Sequence, residues 1–207
     1  LILSGLVFKE YENNYKLGIK ELEQHVKGFF DSDGFPLSRN PNDLFFSTKY
    51  LIFCREIIKD AQIYIPEFLD NIIEKNIACL NFIKCPNDQL PLFNGASENF
   101  LNHLDKYLDT QATKKSNKDI IGGLCKLKQK NHLVFFDIGS PPKKKFSKCY
   151  QSGPLSFEYF LDGIKIISNC GFGDKISNKA ELLSRLTACQ STLTLNDTSV
   201  TKFERNK

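Results

Sequence analysis

The sequence predicts an α+β fold in which helices come first and an antiparallel sheet follows. Apolar residues recur at steps of three and four through the first half and at steps of two through the second. Helical and strand patterns do not alternate along the chain, which argues against a parallel α/β sheet.

The elements follow in order. Tyr15, Ile19, Leu22, Val26 and Phe29 mark one face of a first helix, which stops after Phe30 at "DSDGFP". Leu44, Leu51, Ile58 and Ala61 mark a second, with Asn42 as its N-cap after Pro41. Pro66 opens a third helix in its first turn, where a missing N–H costs nothing. Leu69, Ile72, Ile73, Asn76, Leu80 and Ile83 line that helix until Cys85-Pro86 ends it. Amphipathic helices with short breaks form antiparallel hairpins, in a bundle or a helical toroid. Residues 110–119, "TQATKKSNKD", are polar and aperiodic, and they place a boundary between domains at 1–112 and 118–207. Beyond it, "LCKLKQ" and "HLVFFDIG" flank a turn at Lys130-Asn131. "LSFEYFL" and "IKIISNCG" are joined by Asp162-Gly163, a strong hairpin signal. "NKAELLSRL" is polar with helical potential. "ACQSTLTLNDTS" (188–199) reads as a strand with Leu193 and Leu195 on one face, ending in a turn at Asn196-Asp197. The sheet is expected to be part of a sandwich.

Composition narrows the function. With 41% hydrophobic and 25% charged residues, the chain is an ordinary globular one. A net charge of +4 suits an anionic partner but is too weak to argue for nucleic acid. The opening run "LILSGLVF" is too short to span a membrane. There is no Met, so the expectation is an internal piece of a longer protein, whose compartment this N-terminus does not reveal. Seven cysteines form no CxxC pair and read as reduced, buried thiols. His25, His103 and His132 are isolated, and no GxSxG, phosphate loop or HExxH occurs.

Three loops stand out. "SDGFPLSRNP" (32–41) offers an exposed Arg39-Asn40 pair between prolines; "LPLFNGASE" (90–98) carries Asn94-Gly95; "CYQSGPLSFE" (149–158) leads Gln151 into a strand. Each reads as turn chemistry. Together they read equally as a cleft between helices and sheet, lined by amides and one guanidinium. Such a lining suits a hydroxyl- and carboxylate-rich ligand. "PPKKKF" (141–146) is a small cationic loop, either merely solvated or attracting a polyanion.

These segments resemble the heparinase II/III-like proteins. "SDGFPLSRNP" is similar to the family's "DGGHxxRNP" segment, and "LPLFNG" to the end of its helical toroid. "GPLSFEYFLDGIKIISNCG" and "QSTLTLNDTS" are similar to its "HAGPLSFE…G…LIVNCG" and "HSTLTVDDT" sandwich segments. The agreement runs from about residue 15 to 203. The resemblance implies a partial (α/α) toroid followed by the start of an antiparallel β-sandwich. It also implies β-elimination of a uronic-acid-containing polysaccharide, sulfated or not, by a polysaccharide lyase of the periplasm or cell envelope. In such lyases an Asn, a His or a metal neutralises the uronate, Tyr and His move the protons, and some members hold zinc through His and Asp.

The resemblance also shows departures. Gln151 and Gln190 stand where the family has His, and Asn169 stands at the metal-side acid or amide of the "NCG" segment. Cys149 falls near a catalytic His position, Asp43 near a Tyr position, and Pro36 at the "DGGH" histidine. Glutamine cannot act as general acid or base, and its oxygen is a poor substitute for the nitrogen that zinc prefers. The implied protein is a lyase with a rebuilt site and no zinc. Its expected sugar contacts are Arg39, Asn40, Asn94, Gln151 and Gln190, with Arg39 the main anchor and Lys143–Lys145 a salt-screened attraction. Tyr50 and Tyr150 are the nearby phenols, and neither is assigned as the base. The other reading is a non-catalytic, glycan-binding or envelope-structural relative.

Overall fold

The computed structural model describes residues 1–98, 118–201 and 203. The linker placed at 110–119 lies almost wholly outside them, as does His103. The helical half is α1 (Ile2–Val7), one 3-10 turn (Lys9–Tyr11), α2 (Glu12–Phe29), α3 (Pro41–Asp60) and α4 (Glu67–Ile83). The long helices fall where the 3.6-residue period predicts them. At six residues, α1 is too short to show a period. It lies so close to α2 that a Cβ on Gly5 would sit 2.3 Å from the Tyr15 backbone nitrogen.

The start of α3 differs from the sequence reading by two residues. Asn40, not Asn42, is the N-cap, and its Oδ1 accepts the Asn42 N–H at 2.9 Å. Pro41 then occupies the first helical position. Asn42 uses its own amide elsewhere, donating to Ser97 Oγ at 3.1 Å.

The loop before α3 is tightly folded. Asp31 Oδ1 accepts the Asp33 and Phe35 N–H groups at 2.9 and 2.8 Å. Gly34 has φ +87°, and a Cβ there would meet Lys75 Cβ at 2.5 Å. Phe35 is fully buried, and Phe30 bridges Pro36. This bracing fixes the direction in which Ser38, Arg39 and Asn40 leave the loop.

The second half is a five-stranded antiparallel meander in the order β1 (Ile120–Ile121), β2 (Leu124–Gln129), β3 (His132–Asp137), β4 (Phe157–Leu161), β5 (Ile164–Ile167). The β4–β5 turn has Asp162 at φ +50° and Gly163 at +82°, the pair of left-handed residues that a two-residue hairpin requires. On β3 the inward residues are Leu133, Phe135 and Asp137; on β4 they are Glu158 and Phe160. The apolar members join one core with Phe35, Leu44, Ile58, Leu69, Ile73, Leu80 and Ile83 of the helical half. The two charged inward residues need partners, and those partners build the site.

The strand expected at 189–195 does not form. Thr187–Cys189 makes one 3-10 turn, and Leu193 and Leu195 are 74% and 67% exposed. Hydroxyls replace the ladder: Thr192 Oγ1 donates to Pro154 O at 2.6 Å and Ser191 Oγ donates to Phe157 O. Such side-chain bonds compete directly with strand pairing. Ahead of this segment, α5 (Asn178–Ser184) is capped by Ser177, whose Oγ accepts the Ala180 N–H at 3.1 Å.

Candidate functional site

The site begins with the inward charge at the end of β3. Asp137 is 3% exposed. Its Oδ1 pairs with the Arg39 guanidinium, and its Oδ2 accepts from Asn94 Nδ2 at 3.1 Å. Arg39 also donates to the carbonyls of Gly122 (3.1 Å), Ser140 (2.9 Å) and Gly123 (3.2 Å). Four of its five N–H groups are thereby used. Far from being an exposed anchor, Arg39 is 8% exposed and holds the helical loop onto the sheet. Asn40 and Asn94, expected to contact sugar, are likewise buried. Asn40 caps α3, and Asn94 adopts φ +53° to reach Asp137. The sequence reading passes over Asp137, although in "HLVFFD" it shares the parity of the apolar Leu133 and Phe135, and a buried carboxylate demands a cation.

Beside this clamp, the two halves of the chain bring Asp43 and Cys149 into each other's electrostatic field. Asp43 is half-buried in the first turn of α3. Burial pushes its carboxyl above the ordinary value, opposed by Ser38 Oγ, which donates to Oδ2 at 2.6 Å. Burial pushes the Cys149 thiol up as well, and the Asp43 charge adds to that. Gly95 packs against this cysteine so closely that a Cβ would lie 2.5 Å from Cys149 Cβ and 3.1 Å from Asn40 Nδ2. With φ +97°, position 95 suits glycine on both counts.

Gln151 and Gln190 meet, as their common resemblance to histidine positions implies. Both donate Nε2 to the same carbonyl, Ser184 O, at 2.8 Å. Gln151 also donates to Gly171 O at 2.9 Å and accepts the Gly95 N–H at 3.0 Å. The third member of the cluster is Cys170 and not Asn169. Its Sγ lies 3.9 Å from Gln151 Nε2 and 3.5 Å from Gln190 Nε2. Asn169 turns away and accepts from Ser191 N and Oγ at 3.0 and 2.9 Å, while its backbone N–H bonds Glu158. No feature of the "NCG" segment distinguishes Cys170 from Asn169 as the neighbour of the two glutamines.

This donor set does not fit zinc. Both glutamines aim N–H groups, not lone pairs, at the cluster centre, which leaves the thiols of Cys170 and its neighbour Cys189 as the anion-forming groups there, too few for a four-coordinate zinc. Among the described residues no three His, Cys, Asp or Glu side chains converge.

A cleft of about 380 Å³ opens on the other side of the Arg39 clamp. Pro36, Arg39, Gly123, Ser140, Lys143 and Lys145 are among its walls, so the cationic loop does face a concavity. Tyr50 is exposed in a separate small hollow with His25, away from the clamp. Tyr150 is buried, and that burial raises its phenol. His132 stacks on Tyr159 and bonds its hydroxyl at 2.7 Å on the outer face of the sheet.

Comparison with known proteins finds similarity in sequence and in fold. Residues 120–207 match the family described as heparinase II/III-like, C-terminal. Among solved structures, the chain is similar to a heparan sulfate lyase HepC mutant from Pedobacter heparinus. The TM-score is 0.77 at 20% identity, over 96% of this chain and 36% of that one. It is similar to a heparinase III with TM-score 0.77 at 13% identity, over 97% of this chain and 38% of that one. A further heparinase III gene product gives TM-score 0.78 at 18% identity, over 96% and 36%. The chain thus spans little more than a third of the solved proteins it resembles. No curated protein matches the sequence. The order of helices and meander is that of the heparinase III fold, and residues 120–207 are similar to the heparinase II/III-like C-terminal family.

Proposed function

We propose that the protein is a polysaccharide lyase of the periplasm or cell envelope, cleaving a uronate-containing polysaccharide of the heparan sulfate class by β-elimination. One observation carries this reading. The positions that resemble the family's tyrosine and histidine, Asp43 and Cys149, come from opposite halves of the chain and lie near each other at the helix–sheet junction, where Gly95 packs against both Cys149 and Asn40, the N-cap three residues before Asp43.

In β-elimination the C5 proton is removed, the electrons of the C5–H bond form the C4=C5 double bond, and the C4–O bond breaks, the departing oxygen taking up a proton to become the hydroxyl of the new reducing end. Asp43 is assigned the proton transfer. Its raised carboxyl is a better base than that of an exposed Asp. Cys149, with its thiol pushed up, is the neutral wall beside it. Lys143 and Lys145 attract the polyanion to the cleft on the other side of the Arg39 clamp. Arg39, with its N–H groups engaged, keeps the two walls together. No step is assigned to a metal.

The test is incubation of the full-length protein with heparan sulfate and with an unsulfated uronate polysaccharide, following the ultraviolet absorbance of unsaturated uronate ends. Appearance of unsaturated ends is expected; cleavage to saturated ends overturns the reading.

A second reading, a non-catalytic glycan-binding relative, is favoured by the two glutamines at histidine positions. Binding of heparan sulfate without any unsaturated product would establish it in place of the lyase.

A further inference from the structure

Cys170 and Cys189 face each other at the two ends of the segment that encloses α5. The Cys170 N–H donates to the Cys189 carbonyl at 3.3 Å. A hydrogen-bonded pair in an antiparallel ladder has Cα atoms about 5.5 Å apart, and a backbone bond of the same kind here brings the two residues into the range a disulfide accepts. Burial raises the Cys170 thiol and the Cys189 thiol lies close enough to add to that, so the side chains approach as well as the backbones. Cys170 is exposed and Cys189 is half-buried, whereas Cys79 and Cys85 are closed off in the core. Gln190, adjacent to Cys189, places its Nε2 at 3.5 Å from Cys170 Sγ and so ties the pair to the amide cluster. None of these contacts takes part in the proton transfer assigned to Asp43.

We propose that Cys170 and Cys189 form a reversible disulfide that closes the segment 170–189 around the carbonyl of Ser184. The oxidant is a small-molecule disulfide such as oxidised glutathione. The Cys170 thiol loses its proton and attacks the glutathione S–S bond, releasing one glutathione thiolate. Cys189 then loses its proton and attacks the mixed disulfide at the Cys170 sulfur, releasing the second glutathione thiolate. Two protein thiols are oxidised and one glutathione disulfide is reduced to two thiols. The exposed thiol reacts first because the reagent reaches it first.

The experiment treats the full-length protein with oxidised glutathione, blocks remaining thiols and maps the peptides by mass. The expected product is a cross-link between the peptides carrying Cys170 and Cys189, lighter than the reduced pair by two hydrogens and lost on reduction. Cys189→Ser is expected to convert this product into a glutathione adduct on Cys170, and Cys149→Ser to leave the cross-link in place. A wild-type protein that ends as a glutathione adduct on Cys170 with Cys189 still free overturns the proposal. So does a cross-link that survives Cys189→Ser.

Discussion

At the scale of single residues, Arg39 and Asp43 differ in what their surroundings allow. Arg39 is paired with a buried carboxylate and three carbonyls, so removing it strands Asp137 without a cation. Arg39→Ala is expected to destabilise the fold by about 3–5 kcal/mol, measured by urea unfolding. Arg39→Lys should recover little of that, because an ammonium cannot reproduce the guanidinium fork. A loss near zero for Arg39→Ala would mean that the clamp does not hold the junction. Asp43 behaves in the opposite sense. Its folded carboxyl is raised above the ordinary 3.8, so the folded chain binds the proton more tightly than the unfolded chain. Stability therefore declines as pH rises from the ordinary aspartate range through the raised folded value, and levels off above it. Asp43→Asn should abolish that decline in a series of unfolding curves across mildly acidic pH. An unchanged decline would place the titrating group elsewhere. The polar loops were legible as special from Pro, Gly, Asn and Arg alone, but not the direction in which Arg39 points. That direction depends on Asp137 and on carbonyls contributed by the other half of the chain.

At the scale of elements, local chemistry decides where the sequence can be read. The long helices and the two hairpins repeat a period over several turns or strand residues, so their apolar faces show in the sequence. The segment 188–199 shows the same alternation, yet its serine and threonine hydroxyls bond the β4 region and no strand forms. Alternation with hydroxyl residues is ambiguous, because their side chains substitute for the ladder. The N-cap was misplaced by two residues because Asn40 and Asn42 both suit the role; Pro41 settles it by taking the first helical position. Asn40→Ala is expected to cost about 0.5–2 kcal/mol, whereas Asn42→Ala leaves the cap intact. Equal losses at the two positions, measured by thermal unfolding, would contradict the assignment. Gly95→Ala should be harmful as well, since it combines φ +97° with a Cβ 2.5 Å from that of Cys149.

At the scale of the whole molecule, one core joins the helices to the sheet, and the chemistry collects along that seam. Four separated motifs made the resemblance legible, and the heparinase III fold agrees with it. The glutamine cluster is partly legible in the sequence: the resemblance pairs Gln151 with Gln190, which do lie together, but nothing in "NCG" points to Cys170 as their neighbour. Amide N–H groups directed at a shared carbonyl leave no zinc-binding lone pairs at the centre, so dialysed full-length protein is expected to retain no stoichiometric zinc. Zinc retained through dialysis, with a melting temperature that falls on chelation, would reverse that conclusion. The central claim is that Asp43 moves the proton in β-elimination, and turnover of Asp43→Asn on heparan sulfate tests it most directly. The expected result is a fall in kcat of about 10²–10⁴-fold with KM little changed, and partial recovery in Asp43→Glu. A kcat for Asp43→Asn equal to that of the wild type, with unsaturated product still formed, would contradict it.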